Sequence, residues 1–414
     1  MRLRSLDLWE PLRGLSFRRL WAGACLSMLA DQAFLVALTW LVLRIAGSGA
    51  ELGAVLAVAS VPGAVLMPLG GILSDRSSPV LVMVSASMGR VLLLALLAIL
   101  ILTDATELWH VYVLAGGLSA LDALYYPASM SIVPTLVGHD RLGAANALVQ
   151  GAEQVSGILG PALAGSLLAL VGLGASFGAT ALLFLVATAL FGALARAAKP
   201  TGTPVNDAPE KNGERGNARD EFVEGLRYVF RDPVIRSLLL IVLGTNLAMM
   251  GPLYVGGAVL AELRLGGAWA FGTLVSAAGV GSLIGIVGAG SVRRFRRRGL
   301  IELSLTGVLG IVVAAIAFVP NLAVALAFAI AIGATGSFLG VITISWLQER
   351  AEPRLIGRVM SLAMFSAVAL DPISFALAGI LVGINLTAMF VGAGALLLLT
   401  AVLGAASRTM REVD

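Results

Sequence analysis

KPTGTPVNDAPEKNGERGNARDEFVEGLRYVF, from Lys199 to Phe230, is the one long polar stretch in this chain of 414 residues. Its first part is rich in Pro, Gly, Asn and charge and reads as a flexible linker. From Asp220 onward Phe222, Leu226, Val229 and Phe230 recur at helical spacing against Glu221, Glu224 and Arg227. That pattern fits either an amphipathic helix on a membrane surface or the solvated start of the next apolar run. Outside this stretch the chain is strongly apolar: 58% of all residues are hydrophobic, 13% are charged and the mean hydropathy is +0.96. A soluble globular chain is about 45–50% apolar and about 25% charged. Lipid, not water, is therefore the solvent for most of these residues.

One crossing of a bilayer takes about 20 mostly apolar residues at 1.5 Å rise each. Six such runs precede the linker: Leu20–Leu43, Leu52–Leu73, Pro79–Leu102, Leu108–Val133, Leu142–Leu170 and Gly174–Ala195. Six follow it: Val234–Leu260, Ala268–Gly290, Leu300–Val319, Asn321–Trp346, Gly357–Val382 and Leu386–Ala405. The runs are continuously apolar rather than alternating, which excludes a membrane barrel and predicts an all-α protein of twelve transmembrane helices in two six-helix bundles. The expected organisation is a first bundle over residues 1–198, a cytoplasmic linker over 199–232 and a second bundle over 233–414.

Charge placement tests that count, because successive connections must alternate sides. Of the 28 Lys+Arg, all but Arg44, Arg264 and Arg90 fall in every second connection or at the termini, and Arg90 lies inside the third run. By the positive-inside rule both termini are cytoplasmic. The cluster RRFRRR, Arg293 to Arg298, serves the same orientation and is also suited to anionic lipid. The formal charge of +4 is thus spent on topology and gives no reason to expect nucleic acid. Arg2, Arg4, Arg13, Arg18 and Arg19 precede a long apolar run with no small-residue cleavage site close behind, so the run reads as a retained span.

Several chemistries are excluded. Cys25 is the single cysteine and His110 and His139 are the two histidines, so neither a disulfide framework nor a zinc site is expected, and no cofactor. Lys199 follows Ala198 and Lys211 follows Glu210, so no lysine sits in a phosphate-cradling loop and ATP is not expected as the energy source. What remains is ion-coupled transport, facilitated diffusion or no transport.

Five ionisable side chains fall inside spans, where charge is expensive and marks function: Asp31, Arg90, Asp122, Glu153 and Asp371. A carboxylate in apolar surroundings holds its proton more tightly and releases it when hydrated, the property a proton-coupled carrier needs. Glu153 either binds protons or pairs with Arg90; Asp371, beside Pro372, either does the same or bonds backbone freed by the helix break. Tyr125, Tyr126 and Asn246 are candidate cavity contacts, with interfacial anchoring and interhelical hydrogen bonding as the alternatives. Gly281 with Gly285, Gly336 with Gly340, and Gly160 with Ala164 are small-xxx-small spacings suited to close helix packing within one chain, and a monomer is expected.

The two halves echo one another. TLVGHDRL (Thr135–Leu142) leads to GPALAG (Gly160–Gly165), and WLQERAEPRL (Trp346–Leu355) leads to DPISFALAG (Asp371–Gly379), so spans five and eleven look like counterparts. GILSDRSSP (Gly71–Pro79) is similar to the signature loop of the major facilitator superfamily: Gly71, Asp75 and Arg76 match, while Ser78, Pro79 and Val80 replace its trailing basic residues. Gly160, Pro161 and Gly165 match that family's antiporter motif, with Ala164 in place of one glycine. SFRRLWAGACLSMLADQAFLVALTWLVL (Ser16–Leu43), YYPASMSIVPTLV (Tyr125–Val137), GAANALVQ (Gly143–Gln150), EGLRYVFRDPVIR (Glu224–Arg236) and IGRVMSL (Ile356–Leu362) resemble the branch containing macrolide efflux proteins and the enterobactin exporter.

The resemblance implies a multi-pass transporter of the bacterial cytoplasmic membrane, not an enzyme. It implies alternating access around a central cavity lined by spans one and four, which would bring Asp31 and Asp122 to substrate and proton. It also implies that the loop with Asp75 contacts the start of span eleven and latches the inward-closed state. The expected activity is proton-coupled export of lipophilic drug-like small molecules. Siderophore export or lysolipid flipping is the alternative within transport, and a non-transporting scaffold or sensor is the alternative outside it.

Overall fold

The computed structural model describes residues 8–197, 226–292, 297–352 and 355–406. Among them every regular element is helical. Helices start where the sequence supplies a cap or a proline. Ser48 accepts from the Glu51 N–H at 3.2 Å, Asn321 from Val324 at 3.0 Å, and Asp232 from Val234 at 2.8 Å. Pro79 and Pro233 open their helices, where a missing N–H costs nothing.

Spans one to four are Leu15–Ala46, Gly49–Arg76, Pro79–Leu102 and Leu108–Leu136. The helical run Leu142–Ala197 is 56 residues long, far more than one crossing, and breaks at Gly172 (φ 79, ψ −179), a conformation that suits glycine. It supplies spans five and six. Span seven starts at Pro233–Gly251 and continues through π-helical turns at Pro252–Gly256 and Ala261–Leu265; spans eight, nine and ten are Ala268–Ser291, Arg298–Ala315 and Leu322–Arg350. Span eleven is interrupted, Ile356–Val368 then Asp371–Ile384, and span twelve is Leu386–Ala406. Ten described stretches are long and apolar enough to cross a membrane. Dividing the broken 56-residue run and adding span four accommodates the twelve crossings read from the sequence.

Residues 226–231 form a separate helical turn before span seven, ended by Asp232. Val229 is buried there among Val234, Ile235 and Trp346. Within the described residues 226–231 are thus set apart from span seven at Asp232; the earlier part of the amphipathic pattern, 220–225, lies outside the described residues.

Among the described residues the close contacts between the two bundles gather toward one face. A Cβ on Gly272 would run into the Pro161 carbonyl and Gly165, and one on Gly53 into the Phe375 carbonyl and Gly379. Ser276 Oγ donates to the Ile158 carbonyl at 2.6 Å across the same seam. Gly53 and Gly272 follow the turns that open spans two and eight, so the seam closes the face opposite the arginine-rich connections. Gly281 and Gly285 pack intimately on Ile330 and Ala334 of span ten, as the small-residue spacing suggested. Gly336 and Gly340 do not: a Cβ there meets open space.

Replacing Gly272 by Leu is expected to cost about 1–3 kcal/mol through overpacking at the seam. Gly290→Leu, where a Cβ meets no neighbour, serves as the comparison. Thermal unfolding of both variants in detergent checks the difference.

Candidate functional site

Arg90 lies within span three and is 1% exposed. A guanidinium keeps its proton in proteins, so its burial demands partners. Its NH1 donates to Ser27 Oγ at 3.0 Å and stands 3.9 Å from Asp31 Oδ2, and its NH2 forms an ion pair with Asp122. The guanidinium carbon lies 4.3 Å from the Tyr125 ring centroid and 5.3 Å from that of Phe184, so cation–π contact covers its faces, while Nε has no hydrogen-bond partner among the described residues. Helical spacing sets these pairs: Ser27 and Asp31 are four apart on span one, Asp122 and Tyr125 three apart on span four. Spans one, three, four and six thereby converge on one charge.

Asp31 and Asp122 touch Arg90 while their side chains remain 39% and 50% exposed. What they are exposed to is a cavity of about 550 Å³. Trp21, Met28, Tyr126 and Met130 give it apolar walls, and Gln32, Asn146, Gln150 and Glu153 give it polar ones. These residues come from the arginine-rich ends of spans one, four and five, below the seam that closes the other face. Three carboxylates thus line a space with one guanidinium.

Three comparisons place the molecule. The sequence pattern of the Major Facilitator Superfamily matches residues 20–370. The chain belongs to that superfamily. It is 26% identical over 396 residues to the uncharacterized MFS-type transporter y4rN of Sinorhizobium fredii, covering 92% of each chain. It is also 26% identical over 412 residues to the multidrug efflux pump Tap of Mycolicibacterium fortuitum, covering 98% of this chain and 97% of that one. The solved structure of the nucleoside transporter NupG shares the fold, with a TM-score of 0.75 and 11% identity over 94% of this chain and 99% of the other. The protein is a multi-pass membrane transporter of the facilitator superfamily.

Within this facilitator fold the residues singled out from the sequence separate. Asp31, Arg90, Asp122, Glu153, Tyr125 and Tyr126 all reach the one cavity. Glu153 shares its wall, but the carboxylates on Arg90 are those of Asp122 and Asp31, so the Arg90–Glu153 pairing is not the one formed. The two tyrosines divide: Tyr125 is buried beneath Arg90 and Tyr126 is 38% exposed in the cavity. Asn246 is not among the residues lining this space, and its Nδ2 donates to the Val242 carbonyl of its own helix at 3.0 Å. Asp371 opens the second piece of span eleven, in the other bundle; its Oδ1 has no hydrogen-bond partner among the described residues, so that oxygen does not bond backbone freed by the break. Gly160, Pro161 and Gly165 serve packing: Gly160 lies against Leu29 and Gln32 of span one, and Gly165 against Gly272 of span eight. Gly71, Asp75 and Arg76 end the helix of span two, and their side chains lie outside the described residues.

One buried acid escaped the sequence reading. Glu302 is 1% exposed within span nine, and its Oε1 accepts from Thr343 Oγ1 of span ten at 2.6 Å. It lies inside the run Leu300–Val319, a signal sufficient to find it, but its nearness to the arginine cluster gives it the look of an interfacial residue.

Arg90→Lys keeps the charge but loses the planar fork that reaches Ser27, Asp122 and the Tyr125 face together. It is expected to lower the thermal midpoint clearly. Glu302→Gln, which can still accept from Thr343, should cost less than Glu302→Ala by about 1–3 kcal/mol in the same unfolding assay.

Proposed function

We propose that the protein exports lipophilic cations across the bacterial cytoplasmic membrane in exchange for protons, with both termini cytoplasmic and the cavity facing the cytoplasm. The observation that carries this reading is that Asp31 and Asp122 face Arg90 and the cavity at once. A cation entering along Trp21, Met28, Tyr126 and Met130 meets apolar and aromatic walls for its body and an excess of carboxylate for its charge. The same carboxylates are the proton acceptors, so substrate and proton compete for one set of oxygens. Release of the cation to the far side accompanies protonation there, and the protonated carrier returns.

The similarity to Tap supports efflux and a broad substrate range as the direction of this reading. The glycine seam between spans five and eight and spans two and eleven gives the bundles a surface to rock on. A one-to-one exchange of a proton for a monovalent cation moves no net charge, so the pH difference alone drives it, and each pH unit supplies about 1.4 kcal/mol, or tenfold accumulation of the cation.

Proteoliposomes with an imposed pH gradient test the proposal over cationic dyes, macrolides, siderophores and lysolipids. Wild type is expected to move cationic dyes only with the gradient, and Asp31→Asn and Asp122→Asn to slow that movement about tenfold or more. Gradient-independent movement, or variants as active as wild type, contradicts proton exchange.

A further inference from the structure

A second space lies outside the transport cavity. Span eight packs on span ten as well as on span five of the first bundle, and span nine packs on spans ten and twelve. Spans eight and nine therefore leave a cleft between them with span ten as its floor, about 730 Å³ in volume. Ile284, Leu300, Ile301, Leu305 and Phe338 make it apolar. Gly285 and Gly288 keep the span-eight wall low. Ile284 is 55% exposed and Leu300 38%, so the cleft opens outward from the bundle, where the surrounding medium is lipid.

Its charge is confined to one end. Arg297 lines the cleft where span nine begins, on the arginine-rich face, and its backbone is left-handed at φ 57. Its neighbour Arg298 is committed to Glu349 at 2.5 Å, whereas Arg297 is exposed at the mouth. From Arg297 to Leu305 the helix descends eight residues, about 12 Å, most of the roughly 15 Å depth of one leaflet. Ser304 and Thr335 add hydroxyls on the way down.

We propose that this cleft binds one anionic phospholipid of the inner leaflet, its phosphate at Arg297 and an acyl chain along Leu305 and Phe338. The complementarity is double: a cation where the headgroups lie and an apolar channel where the chains lie. A neutral solute would have no use for the arginine, and a soluble anion none for the channel. The topology signal carried by the arginine run requires neither. Such a lipid seats span nine against span ten beside the Glu302–Thr343 bond and needs no part of the transport cycle.

The purified full-length protein, titrated with dioleoyl phosphatidylglycerol or dioleoyl phosphatidylcholine and read by native mass spectrometry, tests this. One phosphatidylglycerol is expected to be retained about tenfold more tightly than phosphatidylcholine. Arg297→Gln should reduce that preference to below about threefold. Ser304→Leu, at an exposed position on the cleft wall, should weaken retention of both lipids by filling the channel. Arg196→Gln, an arginine on the same face outside the cleft, should leave the preference unchanged. The proposal is overturned by equal retention of the two lipids, by Arg297→Gln and Ser304→Leu both behaving as wild type, or by an equal loss in Arg196→Gln. Circular dichroism confirms that each variant compared is folded.

Discussion

A guanidinium cannot escape burial by giving up its proton, and in this protein that single constraint organises the first bundle. Arg90 is charged wherever it is placed, so the chain must bring oxygens and ring faces to it. Span one supplies Ser27 and Asp31, span four Asp122 and Tyr125, and span six Phe184. Four helices are thereby held in register by one side chain. The acids satisfy Arg90 without being consumed by it, because each also opens on the cavity. In the proposed exporter this double contact matters most: a proton or a cation arriving at Asp31 or Asp122 alters the hold on Arg90, and with it the packing of spans one, three and four.

The seam between the bundles is the complementary element. Gly53, Gly165, Gly272 and Gly379 carry no side chains, so backbones meet directly and the contact can be tight without being interlocked. It closes one face while the cavity occupies the other. Rocking about such a surface changes access without unfolding either bundle. The second bundle has its own buried acid, Glu302, but no arginine comparable to Arg90 among the described residues. Any charge movement is thereby weighted toward the first bundle.

Much of this was legible in the sequence, and the reasons are physical. Long apolar runs and one-sided arginines specify crossings and alternation because the bilayer penalises every exception. Asp31, Arg90, Asp122 and Glu153 stood out for the same reason, and the structure gathers them at one cavity. Pairing was not legible: whether Arg90 meets Glu153 or Asp122 depends on rotations of spans five and four that apolar periodicity leaves open. Gly281 and Gly336 have the same small-residue spacing, yet one packs against Ile330 and the other faces open space. Spacing says that a close approach is possible, and only the neighbouring helix decides whether it is made. Glu302 was hidden by position, since an acid near a helix end beside arginines looks solvated until the opposing span is in place.

The central claim is that substrate cation and proton share the carboxylates on Arg90. It is tested most directly by proton release on ligand binding. Adding tetraphenylphosphonium to the purified protein in weakly buffered detergent solution near neutral pH should liberate protons in proportion to bound cation. That release should fall sharply in Asp31→Asn and Asp122→Asn. Cation binding of equal affinity with no proton release in wild type would contradict the account.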